Sequence, residues 1–262
     1  VAMADVIIES DLTLYELQDP PIGEVEKAVA QYAAEMVHDG DCIQLGFGGI
    51  PNAIGFELMN RHDLGIHTEQ IGASMAHMIQ SGVVTNRYKN LDRGWSVGAF
   101  IIADNFTYNY VNNHPRIMMR RGRYTNDPMI IAQQDNMVSI NAALQIDLTG
   151  QVAAEAIGTV QWSGTGGATD YAYGAYHSRG GRAMLCQIST AKKGTISRIA
   201  PILDPGSIVS VSRNLTDMVI TEYGVAKLRQ RTVKQRVENL IAVAHPDFRA
   251  ELRKEANKYM YF

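Results

Sequence analysis

Trp162-Ser163-Gly164-Thr165-Gly166-Gly167-Ala168-Thr169-Asp170 is the stretch from which the rest of the chain can be read. Three glycines within positions 164–167 let the backbone take positive φ and approach a ligand with no Cβ in the way. The apolar-leaning residues 154–160 ahead of it read as a strand, and residues 168–178 behind it as a short helix. A glycine loop feeding a helix N-terminus leaves backbone N–H groups unpartnered and aimed at whatever lies in front. Such a nest suits a phosphate, a carboxylate or a developing oxyanion. A tight turn that merely reverses the chain fits the same pattern, because a short glycine motif depends on its context.

The arrangement occurs twice. Residues 42–47 read as a buried strand that breaks into Gly46-Phe47-Gly48-Gly49-Ile50-Pro51. Proline costs nothing in a first helical turn, where its missing N–H would be unpaired anyway, so residues 51–60 should be helical. Ahead of that strand, Val25, Val29, Tyr32, Ala33, Met36 and Val37 recur at helical spacing, with Gly40 as the stop. Residues 6–8 read as a short strand, followed by an extended connector to Pro21. Further on, strands are expected at 65–71, 95–103 and 117–119, and helices at 73–80 and 105–113. Residues 137–148 alternate and end in a Thr149-Gly150 turn, which predicts a strand pair with 151–155. Strands at 182–188, 195–203, 207–211 and 218–221 follow. Thr232 is the expected N-cap of a helix over 232–243, and 247–258 form a last helix after Pro246. Early strand–helix alternation and a strand-rich second half predict an α/β layered domain with the glycine loops at the carboxyl edge of its sheet.

Composition narrows the function. The chain has 262 residues, 46% hydrophobic and 19% charged, as in ordinary globular proteins. A net charge of −3 without a lysine- or arginine-rich run excludes a nucleic-acid footprint. Arg120 to Arg123 is the densest cationic spot and reads as a solvated turn. Cys42 and Cys186 sit in apolar contexts, as buried thiols in a reducing compartment do. No apolar run approaches the roughly 18 residues of a membrane span, and residues 1–5 lack the pattern of a signal peptide. A cytoplasmic location is expected, and Val1 in place of an initiator Met fits a processed or truncated chain.

His62, His67 and His77 fall on different expected elements, so no metal site is expected. No G-x-S-x-G elbow or P-loop is present. The loop at Gly46 fails the last glycine of a dinucleotide fingerprint, so neither nicotinamide nor flavin is expected. Two carboxylates stand at strand ends: Glu69 in Gly65-Ile66-His67-Thr68-Glu69-Gln70, and Glu222 in Thr221-Glu222-Tyr223-Gly224. Each could serve as a half-buried nucleophile or as a solvated strand terminus.

Several stretches resemble one family when taken in order. They are Asp127-Pro128, Gln134-Asp135-Asn136-Met137-Val138-Ser139-Ile140-Asn141, and Gln145-Ile146-Asp147-Leu148-Thr149-Gly150-Gln151-Val152. The likeness continues through Ser163 to Gly167, Ser189 to Ile199, Thr221 to Ala226 and Ala244 to Arg249. Gly46 to Pro51 and Gly65 to Glu69 match near the front. The chain is thereby similar to the C-terminal half of the acetyl-CoA hydrolase/transferase family, with 4-hydroxybutyrate and butyrate CoA-transferases most alike. The resemblance implies a CoA-transferase-like (NagB/RpiA-like) α/β fold, a mixed sheet flanked by helices, over residues 23–262. Residues 1–22 would be the connector from an N-terminal half that such proteins carry and that is absent here. Self-association or pairing with such a half is expected, since an unpaired half should expose an apolar face.

The resemblance also implies roles. Glu69 would be the nucleophile that forms a glutamyl-CoA thioester, in ping-pong transfer of CoA between an acyl-CoA and a short-chain carboxylate. Gly164, Thr165, Gly166 and Gly167 would bind coenzyme A, the substrate, with Gly166 or Gly167 donating to the oxyanion. Gly46, Gly48 and Gly49 would form the opposite wall, and Lys192 would face the CoA phosphates or be a solvated turn residue. Glu222 imitates a nucleophile motif of another CoA-transferase class and stands second. Where family members continue from Thr-Glu with Met, two residues, then Asp-Gly, this chain has Gln70-Ile71-Gly72-Ala73-Ser74, so Ala73 alters the surroundings expected of Glu69. Acyl-CoA hydrolysis and non-catalytic CoA binding are the alternative readings.

Overall fold

The computed structural model describes residues 5–17 and 21–259. At its centre is a sheet of strands β1 (Cys42–Leu45), β2 (Gly65–Ile66), β3 (Met137–Ala142), β4 (Arg182–Cys186), β5 (Met218–Thr221) and β6 (Gly224–Lys227). Their order is β6-β5-β4-β3-β1-β2, parallel throughout except for the β5–β6 hairpin. The mixed sheet flanked by helices is the architecture that the sequence implied.

Alternation along the strands builds two cores, as burial on both faces requires. Cys42, Met137, Ala183, Leu185 and Val219 face one way, toward helices α5 (Ala168–His177), α6 (Val233–Val243) and α7 (Pro246–Lys258). Ile43, Leu45, Val138, Ile140, Met184 and Ile220 face the other way, toward α1 (Glu24–Glu35), α2 (Gly49–Glu57) and α3 (Ala73–Gln80), with α4 (Asn105–Val111) packed on α3. Both cysteines are free and buried in these cores. The expected cap of α6 is a capping box, in which Thr232 Oγ1 accepts from Gln235 N–H at 3.3 Å and Gln235 Oε1 from Thr232 N–H at 3.0 Å. In α5, Gly174 lets residues 128–131 pack closely, since a Cβ there would lie 2.4 Å from Ile131 Cγ2. Gly174→Ala is therefore expected to lower stability by about 1–3 kcal/mol, because overpacking exceeds the roughly 1 kcal/mol that alanine gains in a helix. Urea unfolding of the two proteins would measure it.

Several expected strands differ, each for a local reason. Residues 6–8 are extended and exposed without a ladder partner, whereas Leu17 N–H donates to Ala103 O at 3.0 Å. Residues 1–4 and 18–20 of the expected connector lie outside the described residues. Residues 154–160 fold back on themselves: Ile157 pairs with Val160 across a two-residue turn in which Gly158 has φ +56°. The expected strand over 195–203 is two short pieces, Ile196–Ser197 and Ile199–Ala200, and 207–211 contributes only a bridge from Val211 to Val152. The run 65–71 changes partner midway. Residues 65 and 66 pair with β1, while Gln70–Ile71 pairs with Phe100–Ile101, so 95–103 is likewise split. Glu69 occupies the gap.

Candidate active site

Chain order places the site. From β1 the chain moves outward to β2, and β3 then returns to the other side of β1, so the strand order reverses between β1 and β3. Parallel sheets of this kind bind ligands outside the carboxyl ends of the strands at such a reversal. A cavity of about 860 Å³ opens there. Its floor includes Gln44 of β1 and Asn141 of β3, its walls Gly46, Glu69 and the loop Ser163 to Gly167.

The floor amides are buried and satisfied by one another. Gln44 Nε2 donates to Asn141 Oδ1 at 3.0 Å, and Gln44 Oε1 accepts from Asn141 Nδ2 at 3.0 Å and Ser139 Oγ at 2.9 Å. Gly46 packs onto them, since a Cβ would meet Asn141 Oδ1 at 2.6 Å. Ladder bonds fix the main chain of Glu69: its carbonyl accepts from Ala99 N–H at 2.8 Å and Phe100 N–H at 3.1 Å. Its half-buried side chain accepts from Gly167 N–H at 3.1 Å through Oε2. The glycine loop is thus a nest around a carboxylate, and the carboxylate belongs to the chain itself.

Around this pair the packing is tight and mostly neutral. A Cβ on Gly167 would lie 2.6 Å from Asn126 Nδ2 and 2.8 Å from Glu69 Oε2. Asn126 Oδ1 accepts from Thr125 Oγ1 at 2.8 Å, which turns the amide nitrogen toward the glycine. Thr125 O accepts both Tyr171 Oη–H at 2.8 Å and His67 Nε2–H at 3.0 Å. Burial and then the charge of Lys89 push His67 down to about 4, so the ring is neutral. Lys89 is itself buried, donating to Ile66 O at 2.8 Å and Trp95 O at 2.7 Å. Burial pushes the Asp170 carboxyl above its ordinary range, helped by the charges of Glu69 and Asp127.

Glu69, Gly46, Gly164, Thr165, Gly166 and Gly167 therefore share one cavity. Gly48 and Ala73 line a smaller neighbouring hollow, which Gln70 shares with the main cavity. Gly49 begins α2. Gly48 caps that helix with φ +120°, a conformation that only glycine adopts freely. Lys192 sits exposed at φ +47° in a turn between two short strands, away from the cavity lining. Glu222 is occupied elsewhere, accepting from Ser189 N–H at 2.9 Å and Ser189 Oγ at 2.6 Å. Reasoning from sequence missed Asn126, Gln44, Asn141 and Glu155, whose places depend on which strands become neighbours. Among the described residues no group of acidic, histidine and cysteine side chains could hold a metal, and no helix is long and apolar enough to cross a membrane.

Comparison with known proteins bears on the family and the fold. The family model of the acetyl-CoA hydrolase/transferase C-terminal domain matches residues 104–256. The chain is 46% identical over 98% of its length to succinyl-CoA:cyclohexane-1-carboxylate CoA transferase of Geobacter metallireducens. It is 44% identical over 98% to 4-hydroxybutyrate coenzyme A transferase of Clostridium kluyveri. The chain spans 59% and 60% of the lengths of these two relatives. Among solved structures, RipA from Yersinia pestis superimposes over the whole chain and 59% of RipA, at a TM-score of 0.94 and 42% identity. A 4-hydroxybutyrate CoA-transferase from Porphyromonas gingivalis matches 96% of the chain and 59% of its own, at a TM-score of 0.84 and 40% identity. With the motifs, the sheet order and these likenesses in agreement, the chain belongs to the acetyl-CoA hydrolase/transferase family.

Proposed function

We propose that this chain carries the nucleophile of a CoA-transferase that moves CoA between an acyl-CoA and a short-chain carboxylate. The observation that carries the reading is the half-buried Glu69 carboxylate, held by the Gly167 N–H in a cavity at the sheet reversal. Glu69 Oε1 attacks the thioester carbonyl, the C–S bond breaks, and an acyl-glutamyl anhydride and CoA thiolate result. The thiolate then attacks the glutamyl carbonyl carbon, expelling the acid as its carboxylate and leaving a glutamyl-CoA thioester. A second carboxylate runs the steps in reverse and leaves as the new acyl-CoA.

Retention of the Gly167 bond gives that N–H a second role. Once Oε1 has reacted, Oε2 is the glutamyl carbonyl oxygen, and it becomes the oxyanion whenever thiolate or carboxylate adds to that carbon. A donor already aimed at the developing charge is worth roughly 3–4 kcal/mol. Asn126 Nδ2, beside the same glycine, is positioned to join it. Phe47, 60% exposed in the cavity lining, and Trp162, 69% exposed and next in sequence to the lining residue Ser163, are apolar surface that fits cover by an N-terminal half or a second copy. Two buried free thiols fit a reducing, cytoplasmic setting.

The test is mass analysis after incubation with butyryl-CoA and digestion in mild acid. A CoA adduct on the Glu69 peptide is the expected result, with turnover that requires an added acid. An adduct on the Glu222 peptide would overturn the site, and turnover without an acceptor acid would mean hydrolysis.

A further inference from the structure

A second cavity, of about 500 Å³, lies at the opposite edge of the fold from Glu69. Val84 in its wall is bridged to Leu64, just ahead of β2. Gly94 and Arg116, also in the wall, stand just ahead of the parallel strands Ser96–Gly98 and Ile117–Met119. A parallel bridge from His67 to Val97 shows that these strands run with β2, so the hollow sits at their amino ends. Among the described residues none lines both this hollow and the cavity of Glu69.

The lining is cationic. Arg87, Arg93 and Arg116 meet there with His114, and among the described residues no aspartate or glutamate joins them. Arg87 is offset by Asp63 at 3.1 Å. Arg93 and Arg116 are exposed, and among the described residues neither has a carboxylate within ion-pair distance. Asp92, next to Arg93 in sequence, is engaged by Arg120 at 3.3 Å and by the Tyr124 hydroxyl at 2.7 Å. Both free guanidiniums are positioned by the main chain. Arg93 Nε donates to Lys89 O at 3.2 Å, and Arg116 Nη1 lies over Gly94, where a Cβ would be 3.1 Å away. His114 Nδ1 accepts from Arg116 N–H at 3.2 Å, which puts the proton of the neutral ring on Nε2 as a further donor.

Two uncompensated guanidiniums sharing one hollow repel each other, and an anion of charge about −2 placed between them reverses that. Donors arriving from several residues suit the three oxygens of a tetrahedral phosphoryl group better than a planar carboxylate. The volume, with Ile79 and Val84 in the lining, has room for more than one such group. We propose that this hollow binds a diphosphate anion, free or carried on a small organic group, at a site separate from the transfer reaction.

Calorimetric titration of the full chain with pyrophosphate, ADP and succinate tests it. One pyrophosphate or ADP should bind per chain, more weakly as KCl is raised, and succinate at least about ten-fold more weakly than either. Arg93→Gln combined with Arg116→Gln should lower the affinity for pyrophosphate by about 100-fold, roughly ten-fold for each charge-assisted hydrogen bond, with an unchanged urea midpoint. The corresponding double lysine variant, which keeps the charges without the forks, should recover part of the loss and guards against a folding defect. Tighter binding of ADP than of pyrophosphate would assign an organic diphosphate resting on Ile79 and Val84, and equal affinities an inorganic one. Absence of binding, succinate as tight as pyrophosphate, or affinity undiminished in the double glutamine variant would overturn the assignment. Since the readout is binding at the far edge of the sheet, it stands whether or not Glu69 proves to be the nucleophile.

Discussion

Glu69→Gln is expected to lower CoA transfer by about 10⁴-fold or more and to abolish the CoA adduct at residue 69. The substitution keeps the shape of the side chain and an oxygen for the Gly167 N–H, now 3.1 Å from Glu69 Oε2. What it removes is the anionic nucleophile, since a neutral amide does not displace a thiolate. Unfolding midpoints should therefore stay close to those of the unaltered protein while activity disappears. Glu69→Asp should fall between the two. It withdraws the carboxylate by one methylene, and misplacement of a reacting atom by about 1 Å costs on the order of 10²-fold. Glu222→Gln is the contrasting case. It disturbs the bonds to Ser189 at 2.9 and 2.6 Å but leaves the cavity untouched, so the adduct at Glu69 should persist. If the adduct survived in Glu69→Gln and vanished in Glu222→Gln, the nucleophile would have been assigned to the wrong strand end.

What could be read in advance follows from the range over which each feature is encoded. The helix capped at Thr232, the two glycine loops and the strand at residues 218–221 are local, and spacing or turn chemistry betrays them. The loop at Gly164 was legible as an anion nest, but not that the anion would be a carboxylate 98 residues away in sequence. That depends on Glu69 lying where the ladder passes from one partner strand to another, which periodicity along a single segment does not show. The hairpin of residues 156–161 is a different kind of miss. Its signal, Gly158-Thr159 between apolar residues, is present, but the apolar run around it reads as one continuous strand. Asn126 and Glu155 carry no signal, and Asn141 only its place in a family-like stretch, because an isolated amide or acid acquires meaning only from the neighbours that the topology gives it. Ala73, which the family resemblance singles out near Glu69, lines the adjoining hollow, which shares Leu45, Gly46, Phe47 and Gln70 with the main cavity.

Gly167→Ala should cost on the order of 10²–10³-fold in kcat, although alanine is acceptable to the backbone there. Gly167 has φ −77° and ψ 5°, so the effect is entirely one of where the new methyl goes. It would lie 2.6 Å from Asn126 Nδ2, 2.8 Å from Glu69 Oε2 and 3.2 Å from Tyr171 Cδ2. The Tyr171 ring is fully buried and hydrogen-bonded to Thr125 O, and the Asn126 amide is held by the Thr125 hydroxyl. The group free to give way is the half-buried Glu69 carboxylate, which would leave its donor and its line of attack together. Binding of the thioester elsewhere in the cavity is untouched, so KM should change little while formation of the Glu69–CoA adduct slows in step with kcat. Gly166→Ala provides the comparison, because its Cβ would come no nearer than 4.0 Å to Glu69 Oε2, an ordinary contact. Its loss should be at least about ten-fold smaller, since no atom has to move. Equal losses in the two variants would mean that the loop needs glycine for flexibility and that the close approach of residue 167 to Glu69 contributes nothing particular to the reaction.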